Sequence, residues 1–263
     1  MESKLYSPAL FLCLFYFSVT GDINIAGDNN DLFSKVAVTN ILFYDTSRQR
    51  DIPVALYQPN DLRKHAPKQL IIFSHGYGQN KGGDNMAYSY LTENLAANGF
   101  WVASIQHELP TDSLMPTKGI PQVVRRPFWD RGAENILYVI TFMKKNYHQL
   151  KDVEITLMGH SNGGDMTALF PQKYPGIIKR IITLDNRRMA LPVNSGVAVF
   201  SLRSSDQPAD EGVIPGAEEQ KRFGITIISL SQVKHNEMDD HANKKQRKEI
   251  NRYIGQFLAM EKN

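Results

Sequence analysis

A chain of 263 residues, 42% of them hydrophobic, is long enough to bury one large core and short enough to form a single domain. Its formal net charge of +3 is small and spread along the sequence, which gives no argument for a nucleic-acid partner. The one cysteine, Cys13, falls in a segment expected to be removed, so a disulfide framework, a cysteine nucleophile and thiolate metal sites are all excluded from the mature chain.

Taken in order, the chain opens as a secretory signal. Lys4 precedes an apolar run, residues 8–19, that is too short to span a membrane and about right for a signal core. Val19, Thr20 and Gly21 are small enough for cleavage before Asp22. A signal peptide is therefore expected over 1–21, a flexible polar leader over 22–34, and one catalytic domain over 35–263 in a secreted or periplasmic protein, with no stable membrane insertion of the mature chain. Apolar segments 36–44 and 52–57 flank a polar turn and predict an antiparallel hairpin at a sheet edge. Residues 69–73 read as a buried strand running into Gly76-Tyr77-Gly78. A helix with Tyr88, Leu91 and Leu95 on one face follows and stops at Gly99, and 100–105 is the next strand. Residues 107–127, with prolines at 110, 116, 121 and 127, read as a long loop. Ile136, Val139, Ile140 and Met143 mark a helix, and strands are expected at 155–159, 178–184, 197–202 and 225–230. The C-terminal helix carries a basic run, 244–248, opposite an apolar stripe of Ile250, Tyr253, Ile254, Phe257 and Leu258, so its charges read as a solvated face. Strands alternating with helices at this spacing predict an α/β fold, a mostly parallel central sheet covered on both sides.

Gly159-His160-Ser161-Asn162-Gly163 stands between the 155–159 strand and a helix. A serine at so abrupt a strand-to-helix turn must adopt a strained backbone, and it presents its hydroxyl at the carboxyl edge of the sheet as a nucleophile elbow. A hydroxyl becomes a useful nucleophile when a histidine takes its proton and a carboxylate orients and stabilises that histidine. Only His235 and His241 lie downstream of Ser161. His235, just past the last strand, is the expected base, and His241 reads as solvated. For the acid, Asp206 stands at the end of the penultimate strand and is preferred, with Asp185 and Asp210 left as alternatives. The tetrahedral intermediate needs two donors, expected from the backbone N–H groups of Asn162 and Tyr77.

These motifs carry a resemblance. The segment 73–78, the run 90–100 and Gly159–Gly163 resemble the α/β-hydrolase superfamily over roughly residues 35–260, and within it the branch containing dienelactone hydrolases and platelet-activating-factor acetylhydrolases. The resemblance implies carboxylic-ester hydrolysis through an acyl-serine, with no metal or organic cofactor and a small-molecule ester as substrate. It implies Ser161 as nucleophile, Asp206 as acid, His235 as base, and Tyr77 and Asn162 as oxyanion donors. Dienelactone hydrolases proper use a cysteine nucleophile, so their substrate is not implied. The short segment between Leu184 and Val197 leaves no room for a large lid and argues against long-chain triglycerides. A peptidase or amidase on the same fold, and a non-catalytic binding protein on a hydrolase scaffold, are the alternative functions. Two arginine pairs, Arg125 with Arg126 and Arg187 with Arg188, are expected at the mouth of the site, where they could grip an anionic part of a substrate.

Overall fold

The computed structural model describes residues 36–60, 67–194 and 196–260. The expected signal segment and leader, 1–21 and 22–34, lie outside the described residues. Eight strands form one sheet: β1 (Val36–Asp45), β2 (Arg50–Pro59), β3 (Leu70–Ser74), β4 (Trp101–Ile105), β5 (Ile155–His160), β6 (Arg180–Leu184), β7 (Ala198–Arg203) and β8 (Thr226–Ser229). Their order is β1-β2-β4-β3-β5-β6-β7-β8. From β4 to β8 every pairing is parallel, while β2 is antiparallel to both of its neighbours, so the expected hairpin forms the sheet's β1 edge.

Every residue of β3, β4, β5 and β6 is buried, as continuous apolar runs require when helices cover both faces. Alternate side chains feed two cores. Leu70 and Ile72 pack with Trp129, Ile136 and Val139 on one face. Ile71 and Phe73 pack with Leu91, Ile250 and Ile254 on the other. The helices are α1 (Ser89–Ala97), α2 (Pro121–Val124), α3 (Arg126–Asn146), α4 (Ser161–Lys173), α5 (Ala217–Phe223) and α6 (Lys244–Ala259). Asn243 starts α6: its side chain accepts the N–H groups of Lys245 and Gln246, and Gln246 reaches back to the N–H of Asn243. Ile250, Ile254, Phe257 and Leu258 of the α6 stripe are buried, Tyr253 is half-buried, and Lys244, Lys245 and Lys248 face solvent.

The end of the long loop differs from expectation. Residues 121–127 are not loop but helical, because α2 and α3 follow one another across Arg125 and α3 extends back to Arg126. Prolines 121 and 127 sit in the first turns, where a missing N–H costs no intrahelical bond. Trp129 anchors this early part of α3 in the core, fully buried.

The elbow is as tight as the sequence demands. β5 ends at His160 and α4 begins at Ser161, whose φ is +52°. A Cβ on Gly163 would lie 2.2 Å from the carbonyl oxygen of Ser74, and one on Gly159 would lie 2.3 Å from that of Gly163. No side chain fits at either position, and α4 can therefore start directly against β3 and β5. Among the described residues of 185–197, between β6 and β7, there is no helix and no inserted lid. No described helix is long and apolar enough to cross a membrane.

Candidate active site

Three strand ends bring the site together. Ser161 leaves β5, Asp185 leaves β6, and His235 opens a short 3-10 turn after β8. The Ser161 hydroxyl donates to His235 Nε2 over 2.9 Å, and His235 Nδ1 donates to Asp185 Oδ2 over 2.6 Å. The imidazole is thus held with its proton on Nδ1 and its basic nitrogen toward the serine.

The carboxylate that meets the imidazole is Asp185 and not Asp206, the residue preferred from the sequence. Register explains the difference. His160 is paired with Leu184, and Leu184 with Leu202, so the residue after Leu184 comes directly beside Ser161. Asp206 lies one strand farther away and past a turn. Its Oδ1 accepts the backbone N–H of His235 over 2.7 Å, and its side chain is otherwise exposed. Asp206 steadies the histidine's main chain without touching its ring. Asp210 is occupied elsewhere, in an ion pair with Arg188. His241 is exposed, with Nδ1 2.8 Å from Asp239.

Asp185 is fully buried, with a φ of +55°. Burial alone would raise its pKa. The His235 hydrogen bond, the Arg203 guanidinium 3.0 Å from Oδ1, and the N–H and hydroxyl of Ser204 together outweigh that, leaving the carboxyl below its ordinary range and ionised. Arg203 and Ser204 stand at the end of β7, the strand expected to supply the acid itself. Nothing local in the sequence distinguishes a carboxylate from its supporters, but two polar residues directly after an apolar strand would have marked them as partners of a neighbouring strand end.

The β3 loop closes on Ser161 from the other side. A Cβ on Gly76 would be 3.5 Å from the Cβ of Ser161. The N–H of Gly76 donates to the Tyr88 hydroxyl over 3.0 Å, and that hydroxyl donates to His160 Nδ1 over 2.7 Å. Burial, and then the neighbouring His235, push the His160 pKa down to about 3, so His160 is a neutral spacer under the His235 imidazole, with ring centroids 4.7 Å apart. His75 Nε2 accepts the N–H of His107 over 3.0 Å, which leaves the proton on Nδ1 to donate to the Gly76 carbonyl over 2.6 Å. In a planar trans peptide the N–H points opposite the C=O, so the N–H of Tyr77 faces away from His75. The Tyr77 hydroxyl accepts the N–H of Met115, tying this loop to the long one.

The side chain of Asn162, not considered from the sequence, is fixed at both ends. Trp129 Nε1 donates to its Oδ1 over 2.8 Å, and its Nδ2 donates to Glu108 Oε1 over 2.9 Å. The backbone N–H of Asn162 is in the first turn of α4, where no carbonyl of the same helix can reach it. Glu108 is buried beneath this point, and burial raises its pKa. Of the four arginines, Arg125, Arg187 and Arg188 lie near enough for their charges to act on one another. Arg126 turns away, its Nε 3.1 Å from Asp130 on the outer face of α3.

No family model matches the sequence, and comparison with curated proteins returns no match. Solved structures do match. The chain is similar to esterase Est22, with a TM-score of 0.64 and 13% identity over 89% of this chain and 85% of that one. It is similar to a dienelactone hydrolase-like promiscuous phosphotriesterase, P91, from metagenomic libraries, with a TM-score of 0.60 and 13% identity over 86% of this chain and 98% of that one. Brefeldin A esterase, a bacterial homologue of human hormone-sensitive lipase, aligns with a TM-score of 0.61 and 13% identity over 86% of this chain and 77% of that one. The likeness is one of fold.

Proposed function

On the premise of an α/β-hydrolase fold, we propose that this protein is a serine hydrolase cleaving carboxylic esters of small or medium acyl groups through an acyl-serine. The reading rests on one observation, the continuous hydrogen-bonded line from buried Asp185 through His235 to Ser161. As Ser161 Oγ attacks the ester carbonyl, its proton passes to His235 Nε2, and Asp185 stabilises the resulting imidazolium. The carbonyl oxygen gains the negative charge and is met by the N–H groups of Asn162 and Tyr77. Collapse of the intermediate returns the proton from His235 to the leaving alcohol. Water then repeats the sequence on the acyl-serine, and His235 again acts first as base and then as acid.

The surroundings are suited to this chemistry. A carboxylate under the Asn162 side chain would oppose the charge growing on the oxyanion, and the burial of Glu108 favours its neutral form. His160, neutral beside the imidazole, adds no positive charge to compete with that of His235. Among its described residues the short β6–β7 segment carries no inserted lid, which fits a small or medium acyl group. The N-terminal signal pattern, Lys4 followed by the apolar run 8–19, supports a secreted or periplasmic location for this activity.

Purified protein is expected to hydrolyse p-nitrophenyl acetate or butyrate with no added metal and at a rate unchanged by EDTA. A fluorophosphonate probe should label one peptide, the one containing Ser161, and abolish that hydrolysis in proportion. Labelling of a different serine, or full activity after stoichiometric labelling of Ser161, would overturn the assignment.

A further inference from the structure

The arginines beside the site are built in, not loose on the surface. Asp165, four residues after Ser161 on α4, accepts the backbone N–H groups of Arg187, Arg188 and Met189 at its Oδ1 over 3.1, 2.9 and 2.9 Å. The chain leaving Asp185 is therefore wound around a single carboxylate oxygen anchored on the nucleophile's helix. Arg188 is paired with Asp210, and Gln122 of α2 bridges the two by donating to the Arg188 carbonyl over 3.2 Å and to Asp210 over 3.0 Å. Arg125 lies three residues beyond Gln122, on the same helical face, and is carried to the same spot. Its Nε donates to the Pro116 carbonyl over 3.2 Å, next to Met115, which the Tyr77 hydroxyl holds. Arg125 is thus linked through Pro116 and Met115 to the side chain of Tyr77, whose neighbour Gly76 approaches Ser161.

The charges on this rim do not cancel. Among the described residues Arg188 pairs with Asp210 and Arg126 with Asp130, while Arg125 and Arg187 form no ion pair. Arg187 is held by neutral groups instead, the Pro208 carbonyl and the Gln207 side chain. Among the described residues Arg125 is bonded through its Nε alone, which leaves both terminal nitrogens of its fork for a ligand. Burial, and then the positive charge of Arg188, lower the Arg125 pKa; Arg187 adds to this, while Asp165 and Tyr77 oppose it in part.

We propose that Arg125 and Arg187, backed by Arg188, form an anion subsite at the mouth of the catalytic centre, and that the preferred substrate is an ester carrying a free carboxylate or phosphate group. This deepens the serine-esterase reading and rests on it for the position of the scissile bond. The subsite's own property is recognition of an oxyanion by charge-assisted, forked hydrogen bonds.

The test compares three p-nitrophenyl esters of one acyl length at low salt: the hydrogen succinate, its neutral methyl ester, and an analogue ending in phosphate. The anionic esters are expected to show a KM about tenfold lower than the neutral one, from one or two charge-assisted bonds, with kcat little changed. The gap should shrink as potassium chloride is raised. Arg125→Gln and Arg187→Gln should each remove most of the anionic ester's advantage over the neutral one, and Arg126→Gln should leave it intact. Whichever anion gains more identifies the group the subsite is shaped for. Calorimetry of the same compounds on the Ser161→Ala protein reads the subsite without turnover. Tighter binding of an anionic ester there supports the subsite even if the wild-type protein cleaves no ester and the esterase reading fails. Equal affinity for neutral and anionic esters in that protein, or a preference that survives both arginine changes, overturns the proposal.

Discussion

Ser161→Ala is expected to lower kcat for a short p-nitrophenyl ester by about a millionfold, the scale on which removal of a serine nucleophile acts in triad hydrolases. The change removes one oxygen and leaves the rest of the site standing. Ser161 occupies its turn because Gly159 and Gly163 admit no side chain, and alanine makes no new demand on that space. The variant should fold, bind substrate with a KM near the parent's, and keep only the modest rate that oriented donors and binding supply without a nucleophile, about 10³ to 10⁴ over water. Steady-state kinetics with a circular-dichroism melt separates loss of chemistry from loss of fold. Activity within tenfold of the parent in a folded variant would remove Ser161 from the mechanism.

The second large effect distinguishes two carboxylates that sit on successive strand ends. Asp185→Asn is expected to cost about 10⁴ in kcat, because an amide in place of the carboxylate leaves His235 in the wrong tautomer and its cation without a counter-charge. Arg203, 3.0 Å from the same carboxylate, loses its buried partner in that variant, so a lower melting temperature should accompany the lost rate. Asp206→Asn should stay within about tenfold of the parent. An amide oxygen still accepts the His235 N–H that Asp206 accepts now, and a neutral bond from a backbone N–H to a side-chain oxygen contributes about 1 kcal/mol. If Asp206→Asn proved the crippling change and Asp185→Asn the mild one, the imidazole would have to swing to a different carboxylate during turnover.

Ser161 and His235 were legible in the sequence because each obeys a local rule. The glycine spacing around Ser161 states a backbone conformation, and His235 follows the last strand with only His241 as competitor. Asp185 and Asp206 could not be separated in this way. Both end apolar strands, and what decides between them is the β5–β6–β7 register, which sets Leu184 against His160. Register comes from long-range pairing and leaves no mark in a window of ten residues. The supporting contacts were hidden for the same reason. Trp129 and Glu108 stand 33 and 54 residues before Asn162, the residue whose side chain they hold. The long proline-containing segment was read as loop because proline ordinarily breaks helices. At 121 and 127 the prolines begin them, and that shift of a few residues separates Arg125 from Arg126 on opposite sides of the helix start.

The positive φ of Ser161 has a thermodynamic consequence. A side chain in the left-handed region costs about 1 to 2 kcal/mol that glycine does not incur. The proposed nucleophile therefore sits where the fold alone would select glycine, and the protein is less stable than its own architecture permits. Comparing Ser161→Gly with Ser161→Ala isolates this term, because neither variant has the hydroxyl and only alanine keeps a Cβ in the left-handed turn. The glycine variant should melt a few degrees higher, about 2–4 °C for each kcal/mol in a chain of this size. Directed evolution for thermal stability alone, with no selection for turnover, should therefore drift toward glycine at 161 and lose the reaction in gaining the heat resistance.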